Sequence, residues 1–183
     1  MKINIGAGDT KDNDYIRIDY DALTNPDFVL DLEKDRLPFE DSTIEVVKAH
    51  HIFEHLGEGF FHCLQELYRV CKNGAKIHIR VPHPRHDTFI SDPTHRRPIM
   101  PMTLQMFSRK FNDMCRLHQV PTSYLGYYYG VDFELSEVKF IPDARYEELL
   151  KTISEDQRNA YADQHFNLCS EIEMILVVVK DDK

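Results

Sequence analysis

The chain is 183 residues long, 42% apolar and 29% charged, with a formal net charge of −9. That length fits one domain whose core needs no disulfide or metal staples, and the composition excludes a low-complexity or collagen-like chain. The acidic balance argues against a protein that coats nucleic acid or an anionic membrane through its overall field. Cys63, Cys71, Cys115 and Cys169 form no CxxC pair, which reads as the reduced, mostly buried thiols of a cytoplasmic protein. The longest apolar run, Met174–Val179, is too short to span a bilayer. The opening residues look like a strand rather than a signal peptide.

Ile3–Ile5 reads as a strand that ends at Gly6-Ala7-Gly8, and Tyr15–Asp19 alternates as a second strand closing on an acid. Asp27–Leu32 is a third, and Ile44–His50 a fourth, after the loop Leu37–Ser42. Phe60, Leu64, Leu67, Tyr68 and Cys71 recur at helical spacing, so Gly59–Cys71 is predicted to be a helix with one apolar face. Asn73-Gly74 stops it, and Lys76–Val81 is a fifth strand ended by Pro82. Residues 83–130 are irregular, with a helix expected over Met102–Asp113 and an aromatic cluster at Tyr124 and Tyr127–Tyr129. Phe133–Ile141 is a strand, Arg145–Tyr161 a polar helix, and Glu171–Lys180 the last strand. Strands alternating with helices or long connections predict an α/β domain over residues 1–183. Its sheet is seven-stranded and mostly parallel, with an antiparallel last strand, and is flanked by helices. Residues 83–130 form an insertion or cap. Only ten residues separate Gly8 from Asp19, too few for an ordinary parallel crossover, so the first helix is very short or replaced by a loop.

In an open α/β sheet, ligands bind where strand ends meet the loops that follow. Glycines there let backbone approach the ligand, and an acid at the end of the second strand is placed to bind a pair of ribose hydroxyls. A plain tight turn would use the same glycines. A dinucleotide fingerprint requires a third glycine, which Gly6-Ala7-Gly8-Asp9-Thr10-Lys11 lacks. Asp9 would also turn negative charge towards a pyrophosphate, so a nucleoside without phosphates fits the loop better.

Six elements then occur in order: Ile3-Asn4-Ile5-Gly6-Ala7-Gly8, Asp19, Asp31-Leu32, Leu37-Pro38-Phe39, Glu54-His55-Leu56 and Arg69-Val70-Cys71-Lys72-Asn73-Gly74. Residues 2–83 thereby resemble the class I, Rossmann-like S-adenosylmethionine-dependent methyltransferases of the type 11 group. Their pattern runs LNLGCG, an acid after the second strand, DL, LPF, EHL and RVLKPGG. Lys72-Asn73-Gly74-Ala75 departs from the last of these. The resemblance implies that Gly6, Ala7 and Gly8 hold the methionine part of S-adenosyl-L-methionine. It places Asp19 at the ribose, with its neighbour Tyr20 also binding the cofactor, and Asp31 and Leu32 at the adenine. His50 and His51, one facing inwards and one outwards, line the pocket beside the sulfonium. Asp31 can instead cap a turn, and Glu54 and His55 are either catalytic or the structural start of the next helix.

A second cluster, His83-Pro84-Arg85-His86-Asp87 and Asp92-Pro93-Thr94-His95-Arg96-Arg97, follows the fifth strand. Similar methyltransferases carry a DPTH-like segment beside the acceptor. Methyl transfer is a displacement that depends on alignment, and a hydroxyl acceptor also needs a base, for which histidine has a suitable pKa. His95, then His83 and His86, are the candidates. Their spacing matches no zinc pattern, so no metal is expected, and plain loop residues are the alternative. Residues 80–110 hold six cations against two acids, so the acceptor is expected to be a small or sugar-like molecule with an anionic group, unless the charges serve ordinary surface pairing. The tyrosines and Met100, Met102 and Met106 suit a lid, a pocket wall, a helical cap or a homodimer contact. No DPPY, NPPY or PC motif points to a nucleic acid acceptor. The expected function is a methyltransferase. The rivals are a non-catalytic regulatory protein that binds the same cofactor and a nicotinamide-dependent oxidoreductase.

Overall fold

The computed structural model describes residues 1–180, so the last three residues of the expected domain lie outside them. β1 (Lys2–Ile5), β2 (Ile16–Asp19), β3 (Phe28–Val29) and β4 (Ile44–His50) come first. Helix α1 (Phe60–Val70) leads into β5 (Cys71–Pro82). Short helices α2 (Asp87–Ile90), α3 (Pro101–Gln105), α4 (Arg109–Leu117) and α5 (Leu125–Tyr128) precede β6 (Phe133–Pro142). α6 (Glu147–Thr152), α7 (Glu155–Gln164) and β7 (Cys169–Val178) close the described chain.

The seven strands form one sheet in the order β3-β2-β1-β4-β5-β7-β6. The first five are mutually parallel, and β7 runs antiparallel between β5 and β6. Strand order therefore reverses between β1 and β4, and such a switch point opens a crevice at the carboxyl ends of the two strands.

The core is the face of this sheet that α1 covers. Phe60, Cys63, Leu64, Leu67 and Val70 pack into one buried cluster with Val47, Ala49, Ile77 and Ile79. Phe60 meets Phe53 and Phe107 edge-on, at 5.7 and 6.0 Å between ring centroids. Phe60→Ala is expected to cost about 3–5 kcal/mol, because both transfer energy and a cavity are involved. Urea denaturation would show a lower midpoint at unchanged slope. The opposite row carries Lys48 beside His78 and His50 beside Arg80. No helix joins β1 to β2. Residues of that loop instead lie against the sheet, where Asp12 pairs with Lys48 at 3.2 Å and Lys48 Nζ is 5.9 Å from the Tyr15 ring.

Three elements differ from expectation. The third strand keeps only Phe28–Val29, because the Asp31 carboxylate accepts the Glu33 N–H and the Asp31 N–H donates to Asp35, which folds the chain into a turn. The helix expected over Met102–Asp113 is two helices. Phe107 between them is fully buried, and Ser108 Oγ restarts the helix by accepting the Phe111 N–H. Ser154 and Gln157 form a capping box that likewise divides α6 from α7. None of the four cysteines is in a disulfide, and burial pushes the Cys63 and Cys71 thiols up to about 12. No helix of the described residues is long and apolar enough to cross a membrane.

Candidate active site

The turn after β1 is left-handed at two positions, Gly6 at φ 62° and Gly8 at φ 50°. A Cβ on Gly6 would lie 2.8 Å from Cδ1 of Ile52, whereas one on Gly8 would meet nothing within 4 Å. Gly6 is thus required by packing against the segment after β4, and Gly8 leaves open backbone. Between them, the Ala7 N–H donates to Ile18 O at 3.1 Å. Asp19 is 7% exposed. Its Oδ2 accepts the Gly8 N–H at 2.7 Å and its Oδ1 the Asp21 N–H at 2.9 Å. This carboxylate ties the two strand ends together, and each oxygen keeps a second lone pair for a ligand hydroxyl. Just beyond it, Tyr20 is 77% and Leu23 91% exposed.

Asp31 and Leu32 follow β3, next to Leu30, whose N–H donates to Asp19 O at 2.9 Å. Asp31 caps its turn and pairs with Lys34 at 2.7 Å, and that partner holds the carboxyl below the usual range. Leu32 is part of the core. The two neighbouring histidines of β4 part company. His50 faces a hollow of about 590 Å³ with His78, Ser136 and Glu173, and burial pushes its pKa down. His51 leaves the strand at φ 53°. Its ring lies between two carboxylates, with Nδ1 3.4 Å from Glu54 and Nε2 2.9 Å from Glu171. Glu54 beside it raises the His51 pKa.

His51, Glu54, His55, Asp92, His95 and Glu171 line a cavity of about 330 Å³. Two segments are joined to make it. The Arg96 and Arg97 N–H groups donate to Glu54 O at 2.7 and 3.3 Å, and Arg97 Nε donates to Leu56 O at 3.0 Å. The Arg97 guanidinium also lies 4.6 Å from the centre of the Phe60 ring, so this cation is part of the scaffold. Arg80 is likewise engaged with Glu171 and Glu173, while Arg96 is exposed. The His55 and His95 rings are 4.6 Å apart.

Of the three histidines selected from the sequence, only His95 lines this cavity. His83 Nδ1 accepts the Arg85 N–H, and its ring lies 6.0 Å from that of Phe140. His86 is 6% exposed, caps α2 and meets Asp143 at 2.8 Å. Of the aromatic cluster, Tyr129 stacks on Phe61 of α1 at 4.4 Å, whereas Tyr127 bonds Asp113 of α4 and Tyr124 lies against Arg116. Glu171 and Ile52 escaped the sequence reading. The signal for Ile52 was its place beside the glycine turn, and Glu171 carried none.

Residues 14–79 match the methyltransferase domain family. No curated protein matches the chain. Among solved structures, an S-adenosylmethionine-dependent methyltransferase from Archaeoglobus fulgidus is 20% identical over 96% of this chain and 85% of its own, with a TM-score of 0.66. The [4+2]-cyclase SpnF is 14% identical over 98% of this chain and 75% of its own, at 0.59. An S-adenosylmethionine-dependent methyltransferase from Mesorhizobium loti is 10% identical over 96% and 89%, at 0.54. Residues 14–79 thus match a methyltransferase domain, and the chain shares the fold of these S-adenosylmethionine-dependent methyltransferases.

Proposed function

We propose that this protein methylates a small, hydroxyl-bearing acceptor seated in the cavity between His51 and His95. When bound, S-adenosylmethionine supplies an electrophilic methyl group on a positively charged sulfur. The residues around the crevice fit such a nucleoside. Gly8 leaves its backbone open, Asp19 offers lone pairs to ribose hydroxyls, and Tyr20 and Leu23 offer apolar surface to a base. Asp9 repels nothing in a cofactor without phosphates.

The observation that carries the reading is the join at Ile52. Its side chain packs on Gly6, and its chain neighbours His51 and Glu54 open into the cavity. Cofactor loop and acceptor cavity thus share one segment, and alignment of the two partners is what a displacement needs. Nitrogen lone pairs and carboxylates converge there to receive the hydrogen of an acceptor hydroxyl. The cavity is lined by Glu54, Asp92 and Glu171, so any acidic group of a sugar-like acceptor belongs outside it, towards exposed Arg96.

Incubation with methyl-labelled S-adenosylmethionine and a panel of hydroxyl, amine and sugar-acid metabolites tests this. His95→Ala is expected to lower turnover at least about 100-fold, the usual contribution of a proton-transferring group, and to leave cofactor affinity unchanged. Unchanged turnover would remove the acceptor from this cavity. Cofactor binding with no turnover on any acceptor would favour a regulatory protein.

A further inference from the structure

We propose that Glu54, His55 and His95 form a binding site for a divalent transition metal of the zinc class. One ligand atom from each lies within 4.8 Å of the other two. Ligands about 2.1 Å from a tetrahedral zinc are about 3.4 Å apart, so side-chain movements of about an ångström close the set.

Two further observations point to a cation. The Glu54 side chain is 1% exposed, and neither carboxylate oxygen has a hydrogen-bond partner. A buried carboxylate left in this state draws a counter-charge strongly. His51, the nearby imidazole, reaches Glu54 only at 3.4 Å through Nδ1 and is shared with Glu171, 2.9 Å from its Nε2.

The two imidazoles are also held in the tautomer a metal needs. Phe89 O can only accept, so the 2.8 Å contact puts the proton of His95 on Nδ1. The single hydroxyl hydrogen of Thr94 goes to Asp92 Oδ1 at 2.6 Å. The Thr94 oxygen, 2.9 Å from His55 Nδ1, therefore accepts the proton there. Each neutral ring then keeps its lone pair on Nε2, that of His95 lying 3.8 Å from Asp92 Oδ2, and partners of this kind are how proteins orient metal-binding histidines.

Two nitrogens and one carboxylate oxygen suit zinc or a neighbouring transition metal and disfavour magnesium. Three protein ligands leave a fourth position open. If the cavity is the acceptor site, as proposed above, an acceptor oxygen would take that position and be polarised by the metal. With the His95 lone pair on the ion, the acceptor proton would then pass to Asp92 or Glu171 of the same cavity. The site itself does not depend on that reading.

The test is calorimetric titration of chelator-treated, desalted full-length protein with zinc chloride and, as control, magnesium chloride. The expected result is one zinc per chain and no magnesium binding. Visible absorption typical of tetrahedral cobalt(II) should appear when cobalt replaces zinc. Glu54→Gln and His95→Ala should each weaken zinc binding on the order of 100-fold or more, at or above the loss seen for outer partners alone. His118→Ala, which lies outside the cluster, should change nothing. A cooperative melt of each variant shows that it is folded. No stoichiometric zinc binding to the unsubstituted protein overturns the proposal, as does zinc binding that survives both substitutions. S-adenosylhomocysteine binding, measured on the same samples, separates the two readings. Its presence without zinc binding overturns the metal site alone, and zinc binding without it supports the site while removing the methyltransferase reading.

Discussion

Gly6→Ala is expected to abolish S-adenosylmethionine binding and to lower stability by about 2–5 kcal/mol, the sum of a left-handed non-glycine residue and an overpacked contact. The added methyl would lie 2.8–2.9 Å from three atoms of Ile52, including its Cβ. That side chain cannot swing clear without moving the backbone that presents His51 and Glu54. Gly8→Ala separates the two costs. It meets no atom within 4 Å, so it should lose only about 1 kcal/mol for its backbone conformation. It should still lose cofactor affinity, because the new methyl occupies the space left for the ligand. Gly6→Ala/Ile52→Ala should recover only part of the steric loss, because the Cβ of residue 52 stays about 2.9 Å from the new methyl, and none of the conformational part. Urea denaturation and titration calorimetry read the two quantities. Wild-type values for Gly6→Ala would mean that the loop is not closely packed.

Asp19→Asn should weaken S-adenosylmethionine binding about 100-fold, which is about 2.7 kcal/mol. The buried carboxylate accepts from Gly8 and Asp21 at once. An amide replaces one acceptor by a donor and leaves one of those N–H groups facing it. Hydrogen bonds to a charged group contribute about 1.5–3 kcal/mol each, so the turn should loosen as well as lose its ribose partner. Asp31→Asn is the contrast. Its exposed pair with Lys34 belongs to a class that contributes about 1 kcal/mol or less, and cofactor affinity should not change. Equal losses in both variants would contradict this division of labour.

Elements governed by local pattern were readable from the sequence. β4 begins and ends at Ile44 and His50 as its alternation predicts, and the missing first helix followed from the short spacing between Gly8 and Asp19. What the pattern hid was tertiary. Leu32 continues an apolar run, yet the cap made by Asp31 turns it into the core. The helix through Phe107 breaks because that ring is needed between Phe60, Phe61 and Tyr129. In the site, the glycine turn and Asp19 are close in sequence, so their meeting was legible. His95 stood ahead of His83 and His86 as a candidate, but the sequence did not show which side chains it meets. Its union with Glu54 and His55 is made by backbone hydrogen bonds from Arg96 and Arg97 to Glu54 O, and no periodicity encodes such a join.

The most direct test of the central claim is thermal melting of the purified protein with S-adenosylmethionine, with S-adenosylhomocysteine and with NADH. A ligand that binds only the folded chain adds about 2.7 kcal/mol at a hundred times its dissociation constant, enough to move the midpoint by several degrees. The predicted result is a rise with each of the first two ligands and none with NADH. No rise with that pair, or a rise with NADH alone, would contradict the assignment of the crevice between β1 and β4 to S-adenosylmethionine.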